Sequence, residues 1–178
     1  CGNNESGDIK YNINATINNA NITTLYGGGN NANDNITTNL TINNSHFNEI
    51  YGGGRAADVD NVIISIKDSV VDSNIYGGGY EGHVSGNVSL SIESGTFNKN
   101  IYGGGYAGTV GSTNVSIIDN GIILINGNVF GGGEGQKATV KTTTDVIIDL
   151  DLNLSATETK FTSDTISGKS EVNVTILD

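Results

Sequence analysis

The stretch Ile101-Tyr102-Gly103-Gly104-Gly105 decides the fold, because close copies of it recur along the chain. The copies occupy residues 25–29, 50–54, 75–79 and 129–133. Their rings stand at Tyr26, Tyr51, Tyr76, Tyr102 and Phe130, so the steps between them are 25, 25, 26 and 28 residues. A period of this length is typical of a solenoid, in which each repeat buries its apolar side only against its neighbours.

Each repeat also carries the alternation of a β-strand. In the unit 80–105, Val88, Leu90 and Ile92 alternate with polar residues before the chain reaches Phe97 and Ile101. Alternation with a period of two indicates a strand with one buried face and one solvent-exposed face. A repeat of about 25 residues suits one coil of a three-sided parallel β-helix. We therefore predict an all-β, right-handed parallel β-helix of five to six coils.

Parallel stacking places equivalent residues of successive coils directly above one another. It therefore predicts a core built of three apolar columns. These columns are Leu40/Ile64/Leu90/Val115, Phe47/Val71/Phe97/Ile125 and Leu25/Ile50/Ile75/Ile101/Val129.

The chain is expected to be one domain with two distinct ends. Residues 1–7 read as a polar N-terminal tether, residues 8–133 as the solenoid repeats, and residues 134–178 as a final coil and C-terminal cap that protects the last strand edge. An alternative is that Val172 to Leu177 form the first strand of a further repeat. The extra residues in the unit 106–133 are expected to bulge outward at a corner, where insertions are tolerated.

The glycine triplets admit two interpretations. A phosphate-binding loop needs a helix after the glycines, and no helical pattern follows any of the five triplets. The favoured interpretation is structural: a sharp corner at which several residues adopt positive φ and stacked coils leave no room for a Cβ atom.

The aromatic column suggests a candidate binding surface. Because neighbouring strand residues face opposite sides, the aliphatic residue before each ring is the natural core residue, and the ring is expected to lie half exposed at the corner. The candidate binding residues are Tyr51, Tyr76, Tyr80, Tyr102 and Tyr106. Such a strip could stack on sugar rings or on a surface protein, whereas the alternative is a ladder that only stabilises the stacked coils.

Charge and composition exclude several classes of function. The net charge is −11 with one arginine, Arg55, which argues against a nucleic-acid partner. No apolar run is long enough to span a membrane, and no spacing resembles a metal site, so neither metal nor cofactor is expected.

One local mixture of charged residues could support polysaccharide lyase or hydrolase chemistry: Asp58, Asp60, Asp68 and Asp72 with Arg55 and Lys67.

The single cysteine stands at position 1. Followed by the polar stretch Gly2 to Gly7, it resembles the mature start of a bacterial lipoprotein, in which the cysteine carries a lipid anchor. The alternative is an engineered residue or a fragment boundary.

The unit 87–110, NVSLSIESGTFNKNIYGGGYAGTV, resembles repeats of large adhesin-like surface proteins from anaerobic bacteria and methanogenic archaea. The resemblance covers residues 30–133 best. It implies an extracellular or cell-surface location and a structural or adhesive role toward a glycan or a surface protein, and it carries over no catalytic residues. The alternatives are a fibre subunit that self-associates end to end and a polysaccharide-active enzyme.

Overall fold

The computed structural model describes residues 1–2, 4–7, 9–32, 34–118 and 120–149, and the backbone of a strand at 171–177. The side chain of residue 34 is outside this description. All regular secondary structure in the described part is β-strand. The strands are β1 Ile13–Asn18, β2 Asn21–Tyr26, β3 Asp34–Asn43, β4 His46–Tyr51, β5 Val59–Lys67, β6 Ser69–Val71, β7 Ile75–Tyr76, β8 Val84–Ile92, β9 Gly95–Phe97, β10 Ile101–Tyr102, β11 Val110–Ile118, β12 Ile123–Ile125, β13 Val129–Phe130, β14 Thr143–Asp149 and β15 Glu171–Leu177.

The strands form two parallel sheets that climb the same stack of coils. The first, the long-strand sheet, has the order β1-β3-β5-β8-β11-β14-β15. The second, the short-strand sheet, has the order β12-β9-β6-β4-β7-β10-β13, with β2 also paired to β4. Each strand pairs with its counterpart one repeat away, so the molecule is a β-solenoid of about five turns. The predicted parallel β-helix is confirmed.

The strand registers confirm the three predicted columns. Leu40 pairs with Ile64, Ile64 with Leu90, and Leu90 with Val115. The same holds for the column through Phe47 and Val71 and for the column through Ile50 and Ile75. Their central members are almost completely buried. Because a shift of one residue would turn every apolar side chain outward, this alternation fixes the register.

The core also contains columns that we did not predict. Ile42, Ile66, Ile92 and Ile117 stack two positions further along the long strands, and all four are buried. Another column, Val59/Val84/Val110/Val140, closes the core near the glycine corner.

Asparagine ladders follow the stack on the outer surface. The side-chain amide of Asn39 donates to Asn14 Oδ1 at 2.8 Å, and that of Asn43 donates to Asn18 Oδ1 at 2.9 Å. Asn126 donates to Asn98 in the same way. An amide carries both donors and an acceptor, so identical side chains one coil apart can bond to each other.

The corner after each of the first three long strands, β1, β3 and β5, is built on left-handed backbone. Asn19, Asn44 and Asp68 occupy equivalent positions in three successive coils and have φ values of 53°, 44° and 48°. Asparagine and aspartate tolerate this conformation better than other residues that have a Cβ atom. Their use at this corner explains part of the high asparagine content.

The predicted outward bulge lies in the unit 106–133. Ile92 pairs with Ile117, a step of 25 residues, whereas Gly95 pairs with Ile123, a step of 28. Three extra residues therefore enter between Ile117 and Ile123, and Ile122 is 90% exposed.

The two ends are described to different extents. Gly2 N donates to Gly28 O at 3.0 Å, and Asn31 N donates to Asn4 O at 2.8 Å, so Gly2 and Asn4 contact the first coil. At the other end, β15 pairs in parallel with β14. Residues 150–170 and 178 of the predicted final coil and C-terminal cap, 134–178, lie outside the described residues.

Candidate functional site

The glycine corner requires glycine because of close approach between coils. A Cβ atom on Gly77 would lie 2.4 Å from Gly103 O and 2.5 Å from Val88 Cγ1, and one on Gly52 would lie 2.3 Å from Gly77 O. The predicted lack of room for a side chain is confirmed. The expected positive φ is wrong: among the described residues, glycines with positive φ are Gly7, Gly95 and Gly121, none of them in a triplet. The backbone turns here in ordinary conformations.

The aromatic residues before the triplets form a continuous ladder, which we call the inner row. Its members are Tyr26, Tyr51, Tyr76, Tyr102 and Phe130. Successive ring centroids are 5.0, 4.8, 5.1 and 4.9 Å apart, and the planes are within 10° of parallel. This spacing follows from the distance between parallel strands.

The expected half exposure of the inner row is wrong. Tyr51, Tyr76 and Tyr102 are only 3%, 2% and 5% exposed. They form a second hydrophobic cluster, separate from the aliphatic core, and Tyr26, Tyr80 and Phe130 pack against it. The three candidate binding residues of the inner row therefore present almost no surface to a ligand.

An outer row covers the inner row, and it comes from the residue four positions after each ring. Its members are Asn30, Arg55, Tyr80, Tyr106 and Glu134. The ring of Tyr80 meets Tyr51 edge-on at 5.5 Å, and that of Tyr106 meets Tyr76 edge-on at 5.9 Å. Tyr80 and Tyr106 stack on each other at 4.9 Å. Each outer ring thus covers the inner ring of the preceding coil.

Backbone bonds fix the outer row in place. Tyr80 N donates to Gly54 O and Tyr106 N donates to Gly79 O, both at 3.0 Å. Glu134 N donates to Gly105 O at 3.1 Å. The last glycine of each triplet therefore anchors the outer residue of the next coil.

The buried phenol groups are hydrogen-bonded. Asn74 Nδ2 donates to Tyr76 Oη at 2.9 Å, and Asn100 Nδ2 donates to Tyr102 Oη at 3.0 Å. The Tyr76 hydroxyl in turn donates to the carboxylate of Glu134. Our sequence reasoning missed Glu134, although its place in the outer row is readable from the spacing.

These surroundings change the acidity of the tyrosines. Burial raises the pKa of Tyr51 and Tyr76 far above the usual range, and the carboxylates of Glu49 and Glu134, respectively, raise it further. Burial also raises the pKa of Tyr26. The phenols accordingly stay protonated near neutral pH and can donate hydrogen bonds.

The carboxylates of the proposed catalytic mixture lie apart. Asp58 and Asp60 lie at the start of β5, whereas Asp68 and Asp72 follow its end. The strand between the two pairs is nine residues long. Each contacts the neighbouring coil: Asp58 accepts from His83 N, Asp60 from Ser85 Oγ, Asp68 from Ser94 Oγ, and Asp72 Oδ2 lies 2.7 Å from His46 Nε2. The hydrogen bond with His46 lowers the pKa of Asp72. The described residues contain no cluster of three potential metal ligands.

Cys1 lies at the N-terminal end of the stack. Its side chain is exposed, and its amino group donates to Tyr26 O at 2.6 Å. The described part of the chain has no helix that is long and apolar enough to cross a membrane. The lipid anchor stays a prediction.

Compared with protein-family models, curated proteins and solved structures, the chain matches none of them. The resemblance to adhesin-like repeats therefore rests on the quoted sequence alone and stays a prediction.

Proposed function

We propose that this chain is a structural module of an extracellular surface protein, a rigid length of rod that spaces or displays other parts. The observation that carries the proposal is the double aromatic row. The side chains of Tyr51, Tyr76 and Tyr102 are buried in contacts between coils. The glycine triplets beside them also pack closely against the neighbouring coils. The inner-row tyrosines and the glycine triplets, which the sequence offered as possible ligand sites, thus stabilise the stack of coils.

The surface chemistry supports the same role. The net charge of −11 favours a soluble, non-associating surface. The outer asparagine ladders bond from coil to coil, so much of the polar surface is also internally satisfied. A rod with these properties resists local opening without needing disulfides or metals.

Labelling of intact cells of the source organism tests the location. We expect an antibody against the solenoid to label unbroken cells, and protease added outside to remove the label. Labelling that appears only after the cells are opened would contradict an extracellular role.

The purified chain should bind no component of a glycan array in a saturable manner if its role is purely structural.

Adhesion is the second candidate, and one observation favours it. Tyr106 is 37% exposed, and with Tyr80 it forms a rigid stacked pair on an acidic surface. Rigid tyrosines lose little entropy on binding, so this pair is the part of the site that could contact a glycan or a surface protein.

The double substitution Tyr80→Ala with Tyr106→Ala tests adhesion. If the module is adhesive, the variant should lose attachment to its natural surface while the β-sheet circular dichroism is retained. Tyr11→Ala is the matched control, because Tyr11 is 84% exposed and lies outside both rows. Equal attachment of the double variant and the control would exclude this surface. Truncating Tyr76 and Tyr102 is a poorer test, because their loss removes buried packing.

The fibre alternative concerns the first coil. Within the described residues, β1 is the edge strand of the long-strand sheet, and the edge of β2 opposite β4 pairs with no strand, although Cys1 N also bonds to Tyr26 O. A fibre subunit would elongate from such edges. Sizing across a concentration series separates the two roles: a constant monomer supports the rod, and growing assemblies support the fibre.

A further inference from the structure

Four residues of the two aromatic rows form a compact group, which we call the tyrosine cluster. In the inner row, the rings of Tyr51 and Tyr76 stack at 4.8 Å with planes 3° apart. In the outer row, the rings of Tyr80 and Tyr106 stack at 4.9 Å with planes 6° apart. Tyr80 meets Tyr51 edge-on at 5.5 Å, and Tyr106 meets Tyr76 edge-on at 5.9 Å. Each ring of the cluster therefore contacts two others.

The tyrosine cluster extends from the solvent into the interior. Tyr106 is 37% exposed, whereas Tyr51 and Tyr76 are 3% and 2% exposed. A reagent dissolved in water can reach the outer pair but cannot touch the inner rings. An electron, in contrast, passes readily between aromatic rings that are in contact. The cluster therefore offers a route for an electron from the interior to the surface.

Each inner phenol of the cluster has a carboxylate that can take its proton. The Tyr76 hydroxyl donates to Glu134 Oε2, and the Tyr51 hydroxyl interacts with the carboxylate of Glu49. A phenol that loses an electron becomes a strong acid. If its proton stayed on the ring, a positive charge would remain in an apolar environment, which is costly unless the charge is paired. A neighbouring carboxylate removes this cost, because the transfer of the proton leaves both groups neutral.

We propose that the tyrosine cluster is a one-electron redox relay, in which Tyr51 and Tyr76 hold a neutral tyrosyl radical and the outer pair connects them to oxidants in the solvent. This activity goes beyond the structural role proposed above.

The relay balances as follows for a peroxyl radical as the one-electron oxidant. The peroxyl radical takes an electron and a proton from Tyr106 and becomes a hydroperoxide. Tyr76 then gives an electron to the Tyr106 radical, which regains a proton from the solvent, and the proton of Tyr76 moves to Glu134. In sum, one peroxyl radical and one solvent proton are consumed. The products are a hydroperoxide, the Tyr76 radical and protonated Glu134.

The inner position protects the radical. Tyrosyl radicals at a protein surface decay by coupling ring to ring with another molecule, which forms dityrosine and requires direct contact. The rings of Tyr51 and Tyr76 are too deeply buried for that contact. The relay therefore converts a reactive radical at the surface into a persistent radical inside the stack, until a reductant in the solvent returns the electron.

Photochemical oxidation by ruthenium(III) tris-bipyridine tests the proposal. Electron paramagnetic resonance measures the lifetime of the radical, and dityrosine fluorescence measures coupling between molecules. The test variant is Tyr51→Phe with Tyr76→Phe, which keeps both rings and removes only the hydroxyl groups. The inner row accepts a phenyl ring, because Phe130 already stacks in it at 4.9 Å. We expect the lifetime to fall several-fold and dityrosine to increase.

Tyr11→Phe is the matched control, because Tyr11 is 84% exposed and lies outside both rows. It should leave the lifetime unchanged. An unchanged lifetime in the double variant, or an equal loss in the control, would overturn the proposal.

Glu49→Gln with Glu134→Gln tests the proton transfer separately from the packing. Glutamine has a similar size and still accepts a hydrogen bond from a phenol, but it does not take up the proton as a carboxylate does. We expect this variant to retain the β-sheet circular dichroism and to shorten the lifetime several-fold. A lifetime equal to that of the unsubstituted protein would refute the role of the carboxylates.

Tyr80→Phe with Tyr106→Phe tests the outer pair. It should slow the formation of the buried radical without shortening its lifetime, because the inner phenols and their carboxylates are kept. An unchanged rate of formation would mean that the outer pair is not the connection to the solvent.

Discussion

At the scale of single residues, Ile75 and Ile63 show what a place in the stack contributes. Ile75 is completely buried, with Ile50 on one side and Ile101 on the other, whereas Ile63 is 48% exposed on the outer face. Ile75→Ala leaves a cavity between well-packed coils and should cost about 2–5 kcal/mol of unfolding free energy. Urea unfolding measures the loss.

Ile63→Ala is the matched control for this prediction. It removes the same atoms from a position that water already reaches, so its cost should be clearly smaller. A loss under about 1 kcal/mol for Ile75→Ala, or equal losses for the two variants, would mean that the column is not core.

Gly78 belongs to the same scale. A Cβ atom there would lie 2.8 Å from Gly105 N and 3.0 Å from both Gly105 Cα and Val110 Cγ2. Gly78→Val should therefore lower the unfolding free energy by about 1–3 kcal/mol through overpacking, whatever ligand is added. Thermal unfolding with and without candidate glycans measures this effect.

Ser89→Val is the control for Gly78→Val, because it places the same β-branched side chain on the outward face of β8. Valine suits a strand surface, so we expect little change in stability. If Gly78→Val kept full stability and lost only the binding of some molecule, the corner would be a ligand site after all.

At the scale of the element, the inner row predicts a response to alkaline pH. Because the folded protein raises the pKa of Tyr51 and Tyr76, their contribution to stability is complete below the unfolded value of about 10. It is lost as the pH rises above that value toward the folded one, since only the unfolded chain then releases the protons. The solenoid should therefore become progressively less stable in strong alkali.

Phenolate absorbance recorded against circular dichroism measures this response. Ionisation of Tyr51 and Tyr76 should coincide with loss of β-sheet signal. If all the phenols ionised before unfolding, the inner row would be open to solvent.

The elements also show what the sequence could and could not predict. The aliphatic columns were predictable because strand alternation and a fixed period together determine which side chains meet. The burial of Tyr51 and Tyr76 was not, because the same alternation turns them away from the core, and their cover comes from another coil. The recurrence of Tyr80 and Tyr106 four residues after a ring was the available signal.

At the scale of the whole molecule, each coil rests only on its neighbours. Deleting residues 80–105 joins Gly79 to Tyr106, and Tyr106 then takes the place of Tyr80. The column residues Ile64 and Val115 would meet directly, so the shortened chain should fold. Its denaturant m-value should fall because less surface is exposed on unfolding.

Deleting residues 80–92 is the control for the whole-unit deletion. It removes half a coil and sets the following residues out of register with the columns beneath, so the polar and apolar faces no longer match. We expect this variant to lose cooperative unfolding. Equal damage from the two deletions would contradict the independence of the coils.

The continuity of the apolar columns from coil to coil has a consequence for inheritance. A coding segment for one repeat that is duplicated or lost in frame, by replication slippage or unequal recombination, adds or removes a complete coil and leaves every column continuous. Each such event changes the length of the rod by about 4.8 Å, the spacing of neighbouring strands, without changing its cross-section. Heritable variation in a gene of this kind therefore changes mainly the length of the rod. Single substitutions in the columns are far less tolerated than the gain or loss of a whole repeat.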